Sequence, residues 1–310
     1  MSSPDLLLQS RPMHERSAAA QPRAGRDPFA LLCLAMALGG VGLALSGFDG
    51  AFARWFGNWH TRGADALSSG VVDLRLEGLM STMAGILGAS QIGKWLAAWA
   101  VLRHAPPARH AWAWRALFGA LIALGAFEFG LLLLAGIPAG EASAELLVTV
   151  FVALLLWRER STEAGADADT GGTARPLPWR ALEAFAWINV ALGLCLSFVL
   201  FAPPFAMYRA SMDALWFPAG APPELESWLR YGYGAIGAAF AAHFLLLAAL
   251  ARHAAEQRWA WLVYAGTLGA WFVVDSACSA AHGAWFNIVQ VNLPALALAG
   301  GLLVWARPRS

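Results

Sequence analysis

Apolar residues recur along this chain in eight long runs that are separated by shorter polar stretches. A helix needs about 20 mostly apolar residues to cross a bilayer. The runs therefore predict eight transmembrane helices, at 29–47, 80–102, 112–136, 143–158, 181–203, 230–251, 259–281 and 285–306. The fold class that we expect is an all-α, polytopic membrane protein whose main partner is the lipid bilayer.

The last four runs repeat the first four in order and, at a shift of about 147 residues, in several identities. The matched pairs are Gly85 with Gly234, Gly88 with Gly237, Arg103 and His104 with Arg252 and His253, Trp112 with Trp259, Trp114 with Trp261, and Glu128 with Asp275. This order predicts a tandem duplication of a four-helix unit, residues 29–160 and 179–310. A polar stretch at 161–178 predicts a flexible cytoplasmic linker, and residues 1–28 a disordered cytoplasmic tail. Two copies of equal orientation predict a pseudo-twofold axis along the membrane normal.

Composition and charge support this interpretation. Hydrophobic residues make up 59% of the chain and charged residues 13%, and a net charge of +1 argues against nucleic-acid binding. Arginines gather in the tail, in alternate loops and at the carboxyl end, so the positive-inside rule predicts cytoplasmic termini and an inner (cell) membrane location. The three cysteines show no metal or haem-attachment spacing, and no metal site is predicted.

Lys94, the only lysine, falls deep in the second predicted span, about 13 Å from its cytoplasmic end. With Gln91 it lies on one polar helix face. A cation at this depth is costly unless it is paired or faces water. Two interpretations stay open: a pair with a carboxylate, Glu128 being the nearest candidate, that holds helices together, or a contact to a ligand or proton path.

Asp275 and its counterpart Glu128 fall at the same depth in the third helix of each copy. Asp275 shares a helix face with Ser279 and His282, and the next helix begins with polar residues. Glu128 stands between phenylalanines and lacks polar company. The predicted ligand-binding residues are therefore Asp275, Glu128, Lys94, Gln91, Ser279 and His282.

The segment Leu-Gly-Ala-Trp-Phe-Val-Val-Asp-Ser-Ala around Asp275, the glycine-rich second helices and the long first outer loops resemble small bacterial four-helix membrane proteins of the DoxX-like type. This resemblance covers each half once and implies the four-helix unit. A fainter one, through Glu226-Ser-Trp-Leu-Arg and Asp275, is to the haem-dependent styrene oxide isomerase type. The histidine expected after that arginine is replaced by Tyr231-Gly-Tyr, so haem is not predicted.

Three functions stay open at this point. The first is binding or translocation of a small molecule or proton in a cavity between the two repeats. The second is an intramembrane enzyme that acts on a lipophilic substrate with Asp275 as acid or base. The third is a structural or assembly subunit in which the buried charges are salt bridges. A closed, apolar pocket with one polar end would favour an enzyme, and a water path to both sides would favour transport.

Overall fold

The structure is a computed structural model that describes residues 27–48, 74–134, 139–158, 175–196, 205–218, 220 and 223–308. These residues form helices and no strand, which confirms the predicted all-α class. The predicted tail, apart from residues 27 and 28, and most of the predicted linker (161–174) lie outside the described residues. Parts of both predicted outer loops lie outside them as well.

Eleven α-helices follow one another in the described residues: α1 Pro28–Phe48, α2 Leu74–His104, α3 Ala111–Leu117, α4 Leu124–Leu134, α5 Ala139–Arg158, α6 Leu177–Leu196, α7 Ala206–Trp216, α8 Pro223–His253, α9 Arg258–Ala281, α10 Trp285–Asn287 and α11 Leu293–Trp305. Short π-helical segments, Phe118–Ala123 and Ile288–Asn292, join α3 to α4 and α10 to α11. We call these two continuous units the α3–α4 rod and the α10–α11 rod.

Six described helices are long and apolar enough to cross a membrane: Pro28–Phe48, Ala111–Leu131, Leu177–Leu196, Gly232–His253, Arg258–Ala281 and Trp285–Trp305. The chain thus has the make-up of a multi-pass helical membrane protein. Two predicted spans, 80–102 in α2 and 143–158 in α5, are not among the six. In α2, polar residues such as Ser81, Ser90 and Lys94 lower the hydropathy, and all three are buried inside the bundle.

Helices α2 and α8 lie at the centre of the bundle. Helix α2 packs along α1, and α8 packs along α6. Helices α2 and α8 also contact each other. Helix α9 then packs mainly along α2, and the α3–α4 rod packs along α8. Each central helix is therefore covered by helices from both halves of the chain.

The α1–α2 contact and the α6–α8 contact are close because a glycine lies at each crossing. A Cβ atom on Gly88 of α2 would stand 2.7 Å from the carbonyl oxygen of Gly40 in α1. In the second half, a Cβ on Gly193 of α6 would stand 2.7 Å from the carbonyl oxygen of Gly237 in α8. Small residues allow helix backbones to approach in this way. The glycines thus serve the same packing role in both halves.

Two histidine–tryptophan stacks link the halves reciprocally at one end of the bundle. His104, which ends α2, stacks on Trp259 at the start of α9, with ring centroids 4.7 Å apart and planes inclined by 16°. His253, which ends α8, stacks on Trp112 at the start of the α3–α4 rod, at 5.1 Å and 9°. Each half therefore supplies the histidine of one stack and the tryptophan of the other.

Candidate functional site

Asp275 lies in the second half of α9 with 1% of its surface exposed, and three side chains donate hydrogen bonds to its Oδ1 atom. Ser279 Oγ donates at 3.1 Å, Asn287 Nδ2 at 2.6 Å and Asn292 Nδ2 at 3.0 Å. A carboxylate only accepts hydrogen bonds, so three donors on one oxygen suit an ionised group whose orientation is fixed.

The chain path explains how these donors reach one oxygen. Ser279 follows Asp275 by one helical turn. A turn at Gly283, with φ of +73°, then reverses the chain into the α10–α11 rod. In an α-helix, residues five apart point about 140° away from each other. The π-helical segment Ile288–Asn292 widens that turn, so that Asn287 and Asn292 both donate to Asp275.

A cavity of about 420 Å³ adjoins this cluster. Except for Ile86 of α2, its lining comes from the second half of the chain and is mostly apolar. The lining residues are Ile86, Phe185, Ile188, Asn189, Leu192, Leu196, Phe205, Met207, Tyr208, Tyr233, Ile236, Phe240, Trp271, Asp275, Asn287, Gln290, Val291, Pro294, Ala295 and Leu298. This volume lies within the range of about 300–1,000 Å³ that is usual for small-molecule sites.

The cavity reaches the outer surface of the bundle between α6 and α11. Ile188 on α6 and Leu298 on α11 both line it, yet they are 60% and 56% exposed. Both helices are among the six candidate spans. The surface on which the cavity opens is therefore the apolar one that a membrane would cover.

Helix α7, which is not a candidate span, closes another side of the cavity. Tyr208 Oη donates to Asn287 Oδ1 at 3.4 Å, and Gln290 Nε2 donates to Ser211 Oγ at 3.0 Å. Burial raises the pKa of Tyr208 well above its ordinary value, so the phenol keeps the proton that it donates. These two bonds tie α7 to the α10–α11 rod.

Two buried polar atoms of cavity-lining residues have no hydrogen-bond partner among the described residues: the donor Trp271 Nε1 and the acceptor Gln290 Oε1. Trp271 precedes Asp275 by one helical turn, so both side chains lie on the same face of α9. An unpaired buried polar group costs roughly 1–3 kcal/mol. Asp275, Asn287 and Tyr208, which are linked by hydrogen bonds, form the polar end of a cavity whose lining is otherwise mostly apolar.

Of the six predicted site residues, the structure places Asp275 in the cavity lining and Ser279 beside it in the cluster. His282 lies at the end of α9, where its Nε2 is 2.7 Å from the carbonyl oxygen of Gly47 in α1. Gln91 accepts a hydrogen bond from Trp95 Nε1 at 2.9 Å. The His282 contact joins α9 to α1, and the Gln91 contact lies within α2. Neither side chain lines the cavity.

Lys94 and Glu128 are both buried, with 9% and 7% of their surfaces exposed, and neither lines this cavity. The Lys94 ammonium lies over the ring of Trp95, with its Nζ 5.0 Å from the centroid, a cation–π contact. Asp275, Glu128 and Lys94 thus do not converge on the cavity described here.

His243 of α8, which the predicted duplication would match to Lys94, is fully buried. His243 Nε2 lies 3.0 Å from Thr267 Oγ1 of α9, and Thr267 itself donates to the carbonyl oxygen of Val263. Because that hydroxyl hydrogen is already used, the ring is assigned as the donor through Nε2. His243 therefore ties α8 to α9.

Several residues of the site were not among those predicted from the sequence. Asn287, Gln290 and Asn292 form a polar run in an apolar helix, a signal that is visible in the sequence. Tyr208, Asn189 and Trp271 give no such signal, because their role depends on which helices meet at the cavity.

No family model matches this chain, no curated protein matches it in sequence, and no solved structure matches its fold.

Proposed function

We propose that the protein is a bacterial inner-membrane protein that binds a small lipophilic molecule with one polar end, which enters the cavity laterally from the bilayer between α6 and α11. The observation that carries this proposal is the single polar end, at Asp275, of an apolar cavity that opens on an apolar surface. Pockets of this kind hold a ligand through apolar contacts and orient it with a few polar groups.

The proposal includes the full membrane architecture. We propose eight spans, the six candidates together with α2 and α5, and cytoplasmic termini, from the arginine distribution. The tandem duplication is supported by the matched glycines Gly88 and Gly237, which lie at the α1–α2 and α6–α8 crossings, and by the reciprocal stacks of His104 and His253. A pseudo-twofold axis between α2 and α8 accounts for all of these contacts.

The position of the cavity favours binding over translocation between the repeats. Apart from Ile86, its lining belongs to the second half, and its exposed lining residues, such as Ile188 and Leu298, lie at the apolar surface. A ligand that arrives from the bilayer needs no path across the protein.

A second function is favoured by the setting of the Asp275 carboxylate. Its Oδ1 is held by three donors, and the residue lines the cavity, so a bound lipophilic substrate would meet a carboxylate of fixed orientation. That arrangement suits an intramembrane enzyme with Asp275 as general acid or base. Turnover of a cavity ligand that Asp275→Asn abolishes while ligand occupancy persists would favour the enzyme over a binding protein.

The proposed function is tested by photolabelling in lipid nanodiscs with a small apolar aryl diazirine. Phe240 and Trp271 line the cavity but are 7% and 2% exposed, so a probe labels them only from inside it. Ala295→Phe fills the cavity, whereas Ala297→Phe adds the same group to an exposed position of α11 outside the lining.

We expect labelling of Phe240 and Trp271 in the wild type and in Ala297→Phe, and a severalfold loss in Ala295→Phe. Absence of label at both residues in the wild type, or equal labelling in the two variants, would overturn the proposed function.

A further inference from the structure

The Asp275 carboxylate is buried in a setting that favours its charged form. The three side chains that donate to its Oδ1, those of Ser279, Asn287 and Asn292, are all neutral. Hydrogen bonds donated to an ionised carboxylate stabilise the anion. A buried anion is costly unless a cation is paired with it, so a positive charge is expected close to Asp275.

In the part of the chain that the structure describes, no side chain supplies that positive charge. Asp275 forms no ion pair there, and the described residues that line the cavity include no lysine, arginine or histidine. Arg209, which follows the lining residue Tyr208, is paired with Asp213, whose two carboxylate oxygens both lie 2.8 Å from its Nε. The cavity lining therefore carries a negative charge that a ligand can balance.

The lining is also rich in aromatic side chains, which come from four parts of the fold. The six are Phe185 of α6, Phe205 beside α7, Tyr208 of α7, Tyr233 and Phe240 of α8, and Trp271 of α9. An aromatic ring attracts a cation that lies over its face within about 6 Å of the ring centroid, and groups of such rings recognise quaternary ammonium ions. The aromatic lining thus favours a cation independently of Asp275.

Two of these aromatic residues lie at the same end of the cavity as the carboxylate. Trp271 precedes Asp275 by one helical turn, a spacing that places Cβ atoms about 5–6 Å apart. Tyr208 donates to Asn287 Oδ1, and Asn287 in turn donates to Asp275 Oδ1. A cation that approaches Asp275 inside the cavity therefore comes close to aromatic side chains as well.

We infer that the polar end of the ligand is an organic ammonium group, whose charge pairs with Asp275 while its alkyl groups lie among the aromatic side chains. This inference rests on the proposed function. A calcium or magnesium ion needs about six or more oxygen ligands, which a mostly apolar lining does not offer. A free lipophilic amine and the choline head group of a phospholipid share the ammonium chemistry.

The test compares three photoreactive probes that have the same diazirine-bearing dodecyl chain and different heads. One head is trimethylammonium, the second is tert-butyl, which has the same shape without the charge, and the third is a carboxylate. Each probe is added to the protein in nanodiscs of an uncharged diacyl glycolipid, which contains no ammonium group. Labelling of Phe240 and Trp271 is measured against the mole fraction of probe in the bilayer, so that differences in partitioning do not affect the comparison.

In the wild type, we expect the ammonium probe to label at a mole fraction at least about tenfold lower than the tert-butyl probe, a difference of about 1.4 kcal/mol. The carboxylate probe should label more weakly than the tert-butyl probe, because Asp275 repels a second anion.

Two variants test whether this preference depends on Asp275. Asp275→Asn removes the charge and keeps an oxygen for the three donors, so the ammonium preference should fall to about threefold or less, the part that the rings supply. Labelling by the tert-butyl probe should persist, which shows that the cavity is still formed. Glu183→Gln makes the matching acid-to-amide change outside the lining, where Glu183 is paired with Arg175, and should keep the preference of the wild type.

Nanodiscs of phosphatidylcholine distinguish the two sources of the ammonium group. If the choline head group of a phospholipid occupies the site, labelling by the ammonium probe should be suppressed in these nanodiscs. Unchanged labelling would assign the site to a free lipophilic amine.

The outcomes separate this inference from the proposed function. Equal labelling by the ammonium and tert-butyl probes in the wild type, or stronger labelling by the carboxylate probe, would overturn the ammonium inference and leave lateral binding in place. Failure of all three probes to label Phe240 and Trp271 would overturn the proposed function itself. An ammonium preference that persists undiminished in Asp275→Asn would overturn the assignment of Asp275 as its partner.

Discussion

Replacing Gly88 with alanine should force α1 and α2 apart. The added Cβ would stand 2.6 Å from the amide nitrogen of Ala44 and 2.7 Å from the carbonyl oxygen of Gly40, whereas ordinary contacts begin at 3.4 Å. Both neighbours are backbone atoms in a helix, so neither can rotate away. The two helices must therefore separate by about 0.7 Å at this crossing, because backbone atoms move only with their helix.

The expected cost follows from this separation. A gap of 0.5–1 Å forfeits roughly a quarter to a half of the dispersion energy of each contact across an interface. Overpacking of this kind costs about 1–3 kcal/mol. Alanine also favours the helix by about 1 kcal/mol relative to glycine. Gly266→Ala in α9 carries the same helix gain with nothing within 4 Å of the new atom, so the difference between the two variants isolates the packing cost.

The measurement is the free energy of unfolding from SDS titration in mixed micelles. We expect Gly88→Ala to be less stable than Gly266→Ala by about 1–3 kcal/mol. Gly193→Ala, whose Cβ would meet the carbonyl oxygen of Gly237 at the α6–α8 crossing, should show a loss of the same size. If Gly266→Ala proves as destabilising as Gly88→Ala, or if Gly193→Ala is neutral, the close-approach argument is wrong.

Three further predictions concern topology, the buried lysine and pH. A single cysteine introduced at position 165 of a cysteine-free variant should react with a membrane-impermeant thiol reagent only from the cytoplasmic side; labelling from outside would refute the orientation. Glu128→Gln should lower yield and thermal stability, and a double-mutant cycle with Lys94→Met should give a coupling of at least about 1 kcal/mol; additive losses would show that Lys94 is not its partner. Burial and the neighbouring Arg103 lower the pKa of His104 below 6.5. The folded state therefore favours the neutral ring. The contribution of the stack to the free energy of unfolding should be complete above pH 6.5 and should decline as the pH falls through the lowered pKa. His104→Phe should remove that pH dependence from SDS unfolding, and an unchanged profile would contradict the assignment.

Much of the fold could be predicted because membrane spans are a local property of the sequence. Apolar length alone predicts the six candidate helices, and the all-α class is confirmed. The length of an apolar run does not show whether its helix lies at the centre or at the periphery of the bundle. Helix α2 is central and carries buried polar residues such as Ser90 and Lys94, so its hydropathy understates its burial. The prediction of eight spans and of a duplication stays a prediction.

The candidate site could be predicted only in part. Helical spacing places Ser279 beside Asp275, and the structure shows that hydrogen bond. Asn292 follows Asn287 by five residues, a spacing that an α-helix directs elsewhere, and only the π-helical segment brings both to the carboxylate. Phe240 and Tyr208 come from distant elements, so their place in the cavity depends on tertiary packing that no local pattern encodes.

The reciprocal histidine–tryptophan stacks have a consequence for how the chain is made. While the ribosome is still translating the second half, α2 has already been made but the partner of His104, Trp259, does not yet exist. The first half must then wait without α8 and α9, the helices of the second half that pack along its central helix in the finished structure. A gene split between the halves would yield two fragments that are each incomplete, and both would have to be produced together for either to reach its final structure.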